Sequence, residues 1–164
     1  MQTLCPMEAL LLGDDGLVSV DVRVECTIER PSAEVAAFAG DPGRAPEWYA
    51  NIVSVRWLTP VPLSVGSRMD FVAHFLGRRL AYTYEVVELV PGRRLVMRTA
   101  DGPFPMETTY EWEPVHEGAT RMTLRNQGSP SGFAKISEPM VKRAMTRATT
   151  KDLARLKGIL EASG

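Results

Sequence analysis

Aromatic, hydroxyl and thioether side chains recur at every second position in several short segments, and they are the side chains best suited to contact a small molecule. Because successive side chains of a β-strand point to opposite faces, such residues share one face of a sheet. Aromatic rings and thioethers favour an apolar ligand, whose few polar atoms are then oriented by hydroxyl and amide groups. The candidate ligand-binding residues on predicted strands are Phe71, Ala73, Phe75, Tyr82, Tyr84, Met97, Thr99, Thr108, Tyr110, Trp112 and Asn126.

Residues suited to catalysis are few. Tyr82 and Tyr110 are weak candidates for general acids, because a phenol with its ordinary pKa of about 10 needs assistance to donate a proton. His74 and His116 have no carboxylate or second histidine at a characteristic spacing, so we expect solvated imidazoles. The sequence contains no glycine-rich phosphate loop, nucleophile elbow or metal-binding cluster. We therefore assign no catalytic residue and expect no metal and no cofactor.

The elements that position these residues begin with a strand. Over residues 18–28 apolar and polar side chains alternate strictly, which predicts a half-buried strand. Pro31 and Ser32 then favour the start of a helix with Ser32 as its N-cap. Residues 40–43 interrupt this helix, and a second helical turn is predicted at 45–49.

Six further strands are predicted at 52–58, 67–76, 79–90, 95–100, 106–113 and 120–127. The turns between most of them are short and contain glycine or proline, so neighbouring strands must pair antiparallel. Glu85 and Glu88 lie at an odd separation in the fourth strand, which indicates either a bulge or an early exit of the strand from the sheet there.

A long amphipathic helix is predicted over about 132–162, beginning near Ser137 or kinked there by Pro139. One helix covers only part of the apolar face of a curved antiparallel sheet, so the sequence predicts an α+β fold with a cavity between sheet and helix. Met140 and Ala144 on the apolar stripe are further candidate ligand contacts. Trp48, beside the entry to the second strand, either gates the cavity or packs the short helix against the sheet.

Composition limits the domain organisation and the partners. A chain of 164 residues is one domain of ordinary size, predicted as 18–164 after an N-terminal extension at 1–17. A net charge of −1 argues against nucleic acid as a partner. The two cysteines have no disulfide or zinc spacing, and no apolar run is long enough for a signal peptide or a membrane span, so we expect a cytoplasmic protein without stable membrane insertion.

The last predicted helix carries many basic residues, among them Lys142, Arg143, Arg147 and Lys151. These residues either attract an anionic membrane or acidic carrier protein, or form a solvated face, and the solvated face is the commoner arrangement. A homodimer through exposed strands is compatible with the pattern.

The order of elements, together with several short stretches, resembles the START-like (SRPBCC) superfamily, in particular its polyketide cyclase/dehydrase and lipid-transport branch. The resemblance covers residues 18–161 and implies a helix-grip fold: a curved seven-stranded antiparallel sheet around a long C-terminal helix, with two short helices between strands 1 and 2 and a deep cavity. The stretches are ERPSAEV at 29–35, PEWY at 46–49, VGSR at 65–68, VPGRRL at 90–95 and EGATR at 117–121.

Members of this superfamily that act as aromatase/cyclases are thought to polarise polyketide carbonyls with an arginine and hydroxyl groups. Arg68 would enter the cavity only if the third strand were shifted by one residue, which would turn its apolar side chains outward. Met97 and Thr99 are predicted to point toward the cavity, so Arg98 between them points to the opposite face of the sheet. The resemblance therefore does not identify a catalytic arginine here.

We predict that the protein binds a small hydrophobic molecule, such as a lipid, a polyketide or another aromatic metabolite, in the cavity. One alternative is an aromatase/cyclase-type enzyme that acts in the same cavity without a metal or nucleotide cofactor. The other is a protein-interaction module that makes little use of the cavity.

Overall fold

A single antiparallel sheet forms the larger layer of the structure, a computed structural model that describes residues 20–129 and 136–164. In this part of the chain the sheet has seven strands in the order β1-β7-β6-β5-β4-β3-β2. The predicted seven-stranded sheet is confirmed. The strands are β1 Val20–Ile28, β2 Ile52–Trp57, β3 Arg68–Phe75, β4 Arg78–Val90, β5 Arg94–Asp101, β6 Met106–His116 and β7 Ala119–Gly128.

Short helices connect the first two strands, as predicted. They are α1 at Ser32–Ala39, a 3₁₀ helix at Pro42–Arg44 and α2 at Ala45–Trp48. The N-cap of α1 is Pro31 rather than Ser32, and no side chain caps the helix. Asp41 begins the 3₁₀ helix, because its carboxylate accepts a hydrogen bond of 2.9 Å from the Gly43 N–H.

The long helix α3 spans Glu138–Ala162. Ser137 is its N-cap and Pro139 lies in the first turn, where the missing proline N–H breaks no helical hydrogen bond. The helix thus begins near Ser137, and residue 136, which the longer prediction included, is not helical. The rest of the early predicted segment, 132–135, lies outside the described residues, as do the first strand residues at 18–19 and the predicted extension 1–17.

Local backbone conformation explains where strand predictions and structure differ. β3 ends at Phe75 rather than at Leu76, because Leu76 and Gly77 form a two-residue turn in which both have positive φ, 49° and 75°. The predicted bulge is present in β4, since Val86 pairs with Met97 while Glu88 pairs with Val96. β6 continues to His116, beyond the predicted end, and stays paired with β7 through a register shift between Pro114 and His116.

The two faces of the sheet differ in character. The concave face carries the apolar side chains and is covered by α3, whereas the outer face carries cross-strand ion pairs. These include Arg68 with Glu85 at 3.1 Å and Arg98 with Glu107 at 2.7 Å, and His74 is exposed. No helix in the described part of the chain combines the length and apolar composition that crossing a membrane requires.

Candidate ligand-binding cavity

A cavity of about 140 Å³ lies between the concave face of the sheet and α3. Its wall is mostly apolar and rich in aromatic rings. An apolar cavity of ~150 Å³ is known to hold benzene, whereas drug-sized ligands occupy sites of roughly 300–1,000 Å³. The cavity therefore fits a single ring, and it is smaller than the deep cavity that the resemblance implied. The aromatic wall residues are Tyr49, Phe71, Phe75, Tyr82, Tyr84, Phe104 and Tyr110.

Side-chain size on α3 sets the position of this space. Ala148 and Thr149 face the cavity, while Leu153 and Leu156, a turn or two further along, are completely buried in the core. Because Ala148 and Thr149 are small, the aromatic rings of β3, β4 and β6 border open space here instead of packing on the helix.

Eight of the predicted ligand-binding residues lie on the cavity wall. They come from β3, β4, β6 and β7, and their common parity explains why they share the concave face. These residues are Phe71, Ala73, Phe75, Tyr82, Tyr84, Thr108, Tyr110 and Asn126.

The other predicted residues do not belong to the described wall. Trp48 is 0% exposed and lies in the core. Met97 and Trp112 also face the concave side but lie in the solid part of the core, where the Trp112 ring approaches Gly40 at the end of α1. The Thr99 hydroxyl is occupied by the backbone of Met106, donating to its carbonyl at 3.0 Å and accepting from its N–H at 2.9 Å.

Two predicted helix contacts are also displaced from the wall. Met140 is 64% exposed and therefore points away from the core, although it was assigned to the apolar stripe. Ala144 is half-buried but is not among the described wall residues. The apolar stripe thus begins in the second turn of α3, with Val141 and Met145.

Hydrogen bonds join the tyrosines of the wall into two groups. The hydroxyls of Tyr49 and Tyr110 lie 2.7 Å apart. The Thr108 hydroxyl donates to Asn126 Oδ1 at 2.9 Å, so its single hydrogen is used and Tyr84 must donate to Thr108 across 2.8 Å. Burial raises the pKa of Tyr84 to about 12 and the pKa values of Tyr49 and Tyr110 well above the ordinary range. All three remain neutral phenols at physiological pH.

Tyr82 differs from the other wall tyrosines, because its hydroxyl makes no hydrogen bond to any described residue. Its ring stacks on Phe71 with centroids 5.5 Å apart and meets Tyr84 edge-on at 5.0 Å. Burial raises its pKa well above the usual value. Tyr82 therefore combines a rigidly held ring with an uncommitted hydroxyl group at the cavity.

Asp152 is the functional candidate that the sequence pattern did not single out. In the sequence it stands among the many charged residues of the last helix, but it is only 4% exposed and lies on the cavity wall. Its Oδ1 accepts a hydrogen bond of 3.0 Å from the Ala50 N–H, which fastens the segment after α2 to α3. Burial raises the pKa of this carboxyl, and the nearby charge of Arg155 partly opposes the shift.

A signal for Asp152 was present in the sequence. Met145, Thr149, Asp152 and Leu156 follow one another at spacings of three and four residues, which places them on one stripe of a helix. An acid on that stripe predicts a buried carboxylate rather than a solvated one.

The described wall contains no lysine or arginine side chain. Arg68 and Arg98 are held on the outer face by their acidic partners, as the strand parity predicted. Glu107, the other carboxylate whose residue borders the cavity, is bound by Arg98 through Nε at 3.0 Å and Nη2 at 2.7 Å. Asp152 is thus the one wall carboxylate, within the described ranges, without a basic hydrogen-bond partner.

Sequence comparison identifies the family. The sequence pattern of the family described as "Polyketide cyclase / dehydrase and lipid transport" matches residues 19–161, and the chain belongs to this family. It is therefore a member of the START-like superfamily of ligand-binding proteins, as predicted. No curated protein matches the chain.

Solved structures share the helix-grip fold. A START superfamily protein from Mycobacterium smegmatis superposes with a TM-score of 0.75 at 15% identity, covering 88% of this chain and 99% of that one. A protein from Thermus thermophilus gives 0.74 at 22% identity, with 88% and 99% covered. The Zhui aromatase/cyclase of a Streptomyces species gives 0.71 at 15% identity, with 87% and 94% covered. At these identities the similarity concerns the fold.

Proposed function

We propose that the protein binds a small hydrophobic ligand in the cavity between the sheet and α3. The observation that carries this proposal is the wall of aromatic rings that faces α3 where the small side chains of Ala148 and Thr149 leave space between helix and sheet. The volume favours the compact members of the predicted ligand classes, a small aromatic metabolite over a lipid chain or a multi-ring polyketide.

Filling the cavity tests this proposal. Ala148→Phe places a ring from α3 into the space, whereas Ala154→Phe makes the same change at an exposed position of α3. Toluene binding is measured by ligand-observed NMR, with circular dichroism to establish that both variants fold. We expect toluene binding to be lost in Ala148→Phe and retained in Ala154→Phe. Equal binding by the two variants would place the ligand elsewhere and overturn the proposal.

A second candidate function is acid–base catalysis on a bound carbonyl compound, and the buried carboxyl of Asp152 favours it. This group lies close enough to Tyr49 and Tyr110 to raise their pKa values, so the cavity contains one acid with a raised pKa beside two neutral phenols. The test is conversion of a poly-β-ketone. A rate above the uncatalysed one that falls in Asp152→Asn and Tyr110→Phe would support an enzyme of the aromatase/cyclase type.

Three further properties remain predictions from the sequence. They are a third function as a protein-interaction module, a homodimer and a cytoplasmic location. Native mass spectrometry addresses the first two together. A retained small molecule supports ligand binding, whereas a stoichiometric protein partner with an empty cavity supports the interaction module.

A further inference from the structure

The polar groups of the cavity wall differ in whether their donor and acceptor positions have hydrogen-bond partners. Tyr84, Thr108 and Asn126 form one hydrogen-bonded chain, and Tyr49 and Tyr110 form a pair. Two wall groups keep an unused position within the described part of the chain: the Tyr82 hydroxyl makes no hydrogen bond there, and Asp152 accepts from the Ala50 N–H through Oδ1 while its Oδ2 accepts none. A carboxylate has room for several donors, so this wall keeps an unused acceptor.

An unused acceptor on a buried carboxylate is costly unless a ligand supplies a donor. Asp152 is 4% exposed, so water solvates its carboxyl poorly. No basic side chain of the described wall pairs with it, Arg155 acts on the carboxyl only through its nearby charge, and the backbone N–H of Ala50 satisfies only one oxygen. A donor on a ligand would therefore gain a charge-assisted hydrogen bond at this position.

The rest of the wall limits the shape and the charge of that ligand. The volume of about 140 Å³ fits one aromatic ring with a small substituent. The stacked pair of Phe71 and Tyr82 offers aromatic surface against which such a ring packs. An anionic substituent would meet the carboxylate of Asp152 with no cation on the described wall, so aryl carboxylates and phosphates are disfavoured.

We infer that the cavity selects a compact, uncharged aromatic compound with a hydroxyl or amino donor, such as a phenol or arylamine, and that Asp152 Oδ2 accepts the hydrogen bond. This inference rests on the proposed function and specifies its ligand class. Asp152 acts here as a specificity-determining residue.

Exchanging the acceptor for a donor tests the inference directly. Asp152→Asn preserves an oxygen for the Ala50 N–H but turns an NH₂ donor toward the cavity. The probes are phenol, aniline, toluene, acetophenone and benzoate, with affinities measured by ligand-observed NMR at neutral pH. We expect the wild-type protein to bind phenol and aniline about tenfold to a hundredfold more tightly than toluene, since a hydrogen bond to a charged group contributes that much. Benzoate should bind more weakly than toluene.

The variant should reverse the order, binding acetophenone more tightly than phenol. The matched control is Asp70→Asn, which changes a carboxylate bound to Arg56 on the outer face and should leave the wild-type order intact. A merely structural role of Asp152 would lower all affinities together without reversing them. If toluene binds as tightly as phenol in the wild-type protein, the inference is wrong while the proposed function stands. If none of the five probes binds, both fail.

Discussion

The concave face of the sheet is divided into a solid half and a hollow half, although the same strands and the same helix build both. In the solid half Trp48, Met97 and Trp112 pack with Leu153 and Leu156 of α3, and all five are buried. In the hollow half the helix contributes Met145, Ala148, Thr149 and Asp152, and the two small residues among them leave the space. The backbone arrangement is common to both halves, so the cavity results from the choice of side chains along one helix.

Alternation along a strand assigns the residues of both halves to the same face, but the two kinds of residue differ in what they contact. Side chains of the solid half stabilise the fold through close packing, and each has many neighbours to lose. Side chains of the hollow half border space on one side, so they contribute less packing and are free to contact a ligand. Substitutions in the two halves should therefore have opposite profiles of stability and binding.

The largest effect is expected from Leu156→Ala in the solid half. Leu156 is completely buried, and its truncation leaves a void, so unfolding in urea should show a loss of about 2–5 kcal/mol. In the hollow half, Ala148→Leu adds volume where space exists and should cost less than about 1 kcal/mol. Equal losses at the two positions would contradict the division of the core.

A smaller effect is expected from Tyr110→Phe, which removes one partner of the Tyr49–Tyr110 hydrogen bond. The buried Tyr49 hydroxyl then lacks that partner, and the free energy of unfolding should fall by about 1–3 kcal/mol. The double variant with Tyr49→Phe measures the coupling of the two hydroxyls. If the two single losses simply add in the double variant, the hydrogen bond contributes nothing to stability.

The pH dependence of stability should identify Asp152 in the hollow half. Its pKa is raised by burial, so between the unfolded value of about 3.9 and the folded value the native state binds more protons. The contribution of Asp152 to stability therefore decreases as the pH rises through this interval. Asp152→Asn lacks the titration, so its stability relative to wild type should increase from about pH 3 to about pH 7. A constant difference over that range would show that the carboxyl is not perturbed.

The smallest effect is expected on the outer face of the sheet. A substitution there is the control for the effects on stability and binding in both halves of the concave face. Arg98→Ala removes an exposed ion pair with Glu107, and such pairs contribute at most about 1 kcal/mol. The loss should shrink further in high salt and leave ligand binding unchanged. A larger loss would mean that the outer face, and not only the core, determines the stability of the sheet.

Local signals explain why most of the fold was predictable. Alternation at every second residue defines a strand within its own segment, and glycine and proline mark the turns, so the antiparallel order and the bulge near Glu88 followed from the sequence. The turn after the third strand was predicted one residue too late, because leucine rarely adopts positive φ, and only the pairing of Phe75 with Arg78 shows that Leu76 belongs to the turn.

The site was only partly predictable, because parity defines a face but not a position along it. Met97 and Thr108 are neighbours in register and share the concave face, yet one is part of the solid core and the other borders the cavity. That difference depends on where α3 crosses the sheet, which is a tertiary property. Asp152 was missed for a different reason, since no motif marks it and only its place on the helical stripe with Thr149 and Leu156 indicates that it is buried.

The position of Trp48 provides an optical signal of cavity occupancy. Its indole is fully buried, 4.0 Å from the ring of Tyr49 and 6.3 Å from that of Tyr110, measured between centroids. Both tyrosines border the cavity, so a guest that disturbs their contact changes the surroundings of a fluorophore one layer behind the wall. Intrinsic fluorescence can thus follow uptake without a label, and replacing the partly exposed Trp57 by phenylalanine would remove one source of background emission.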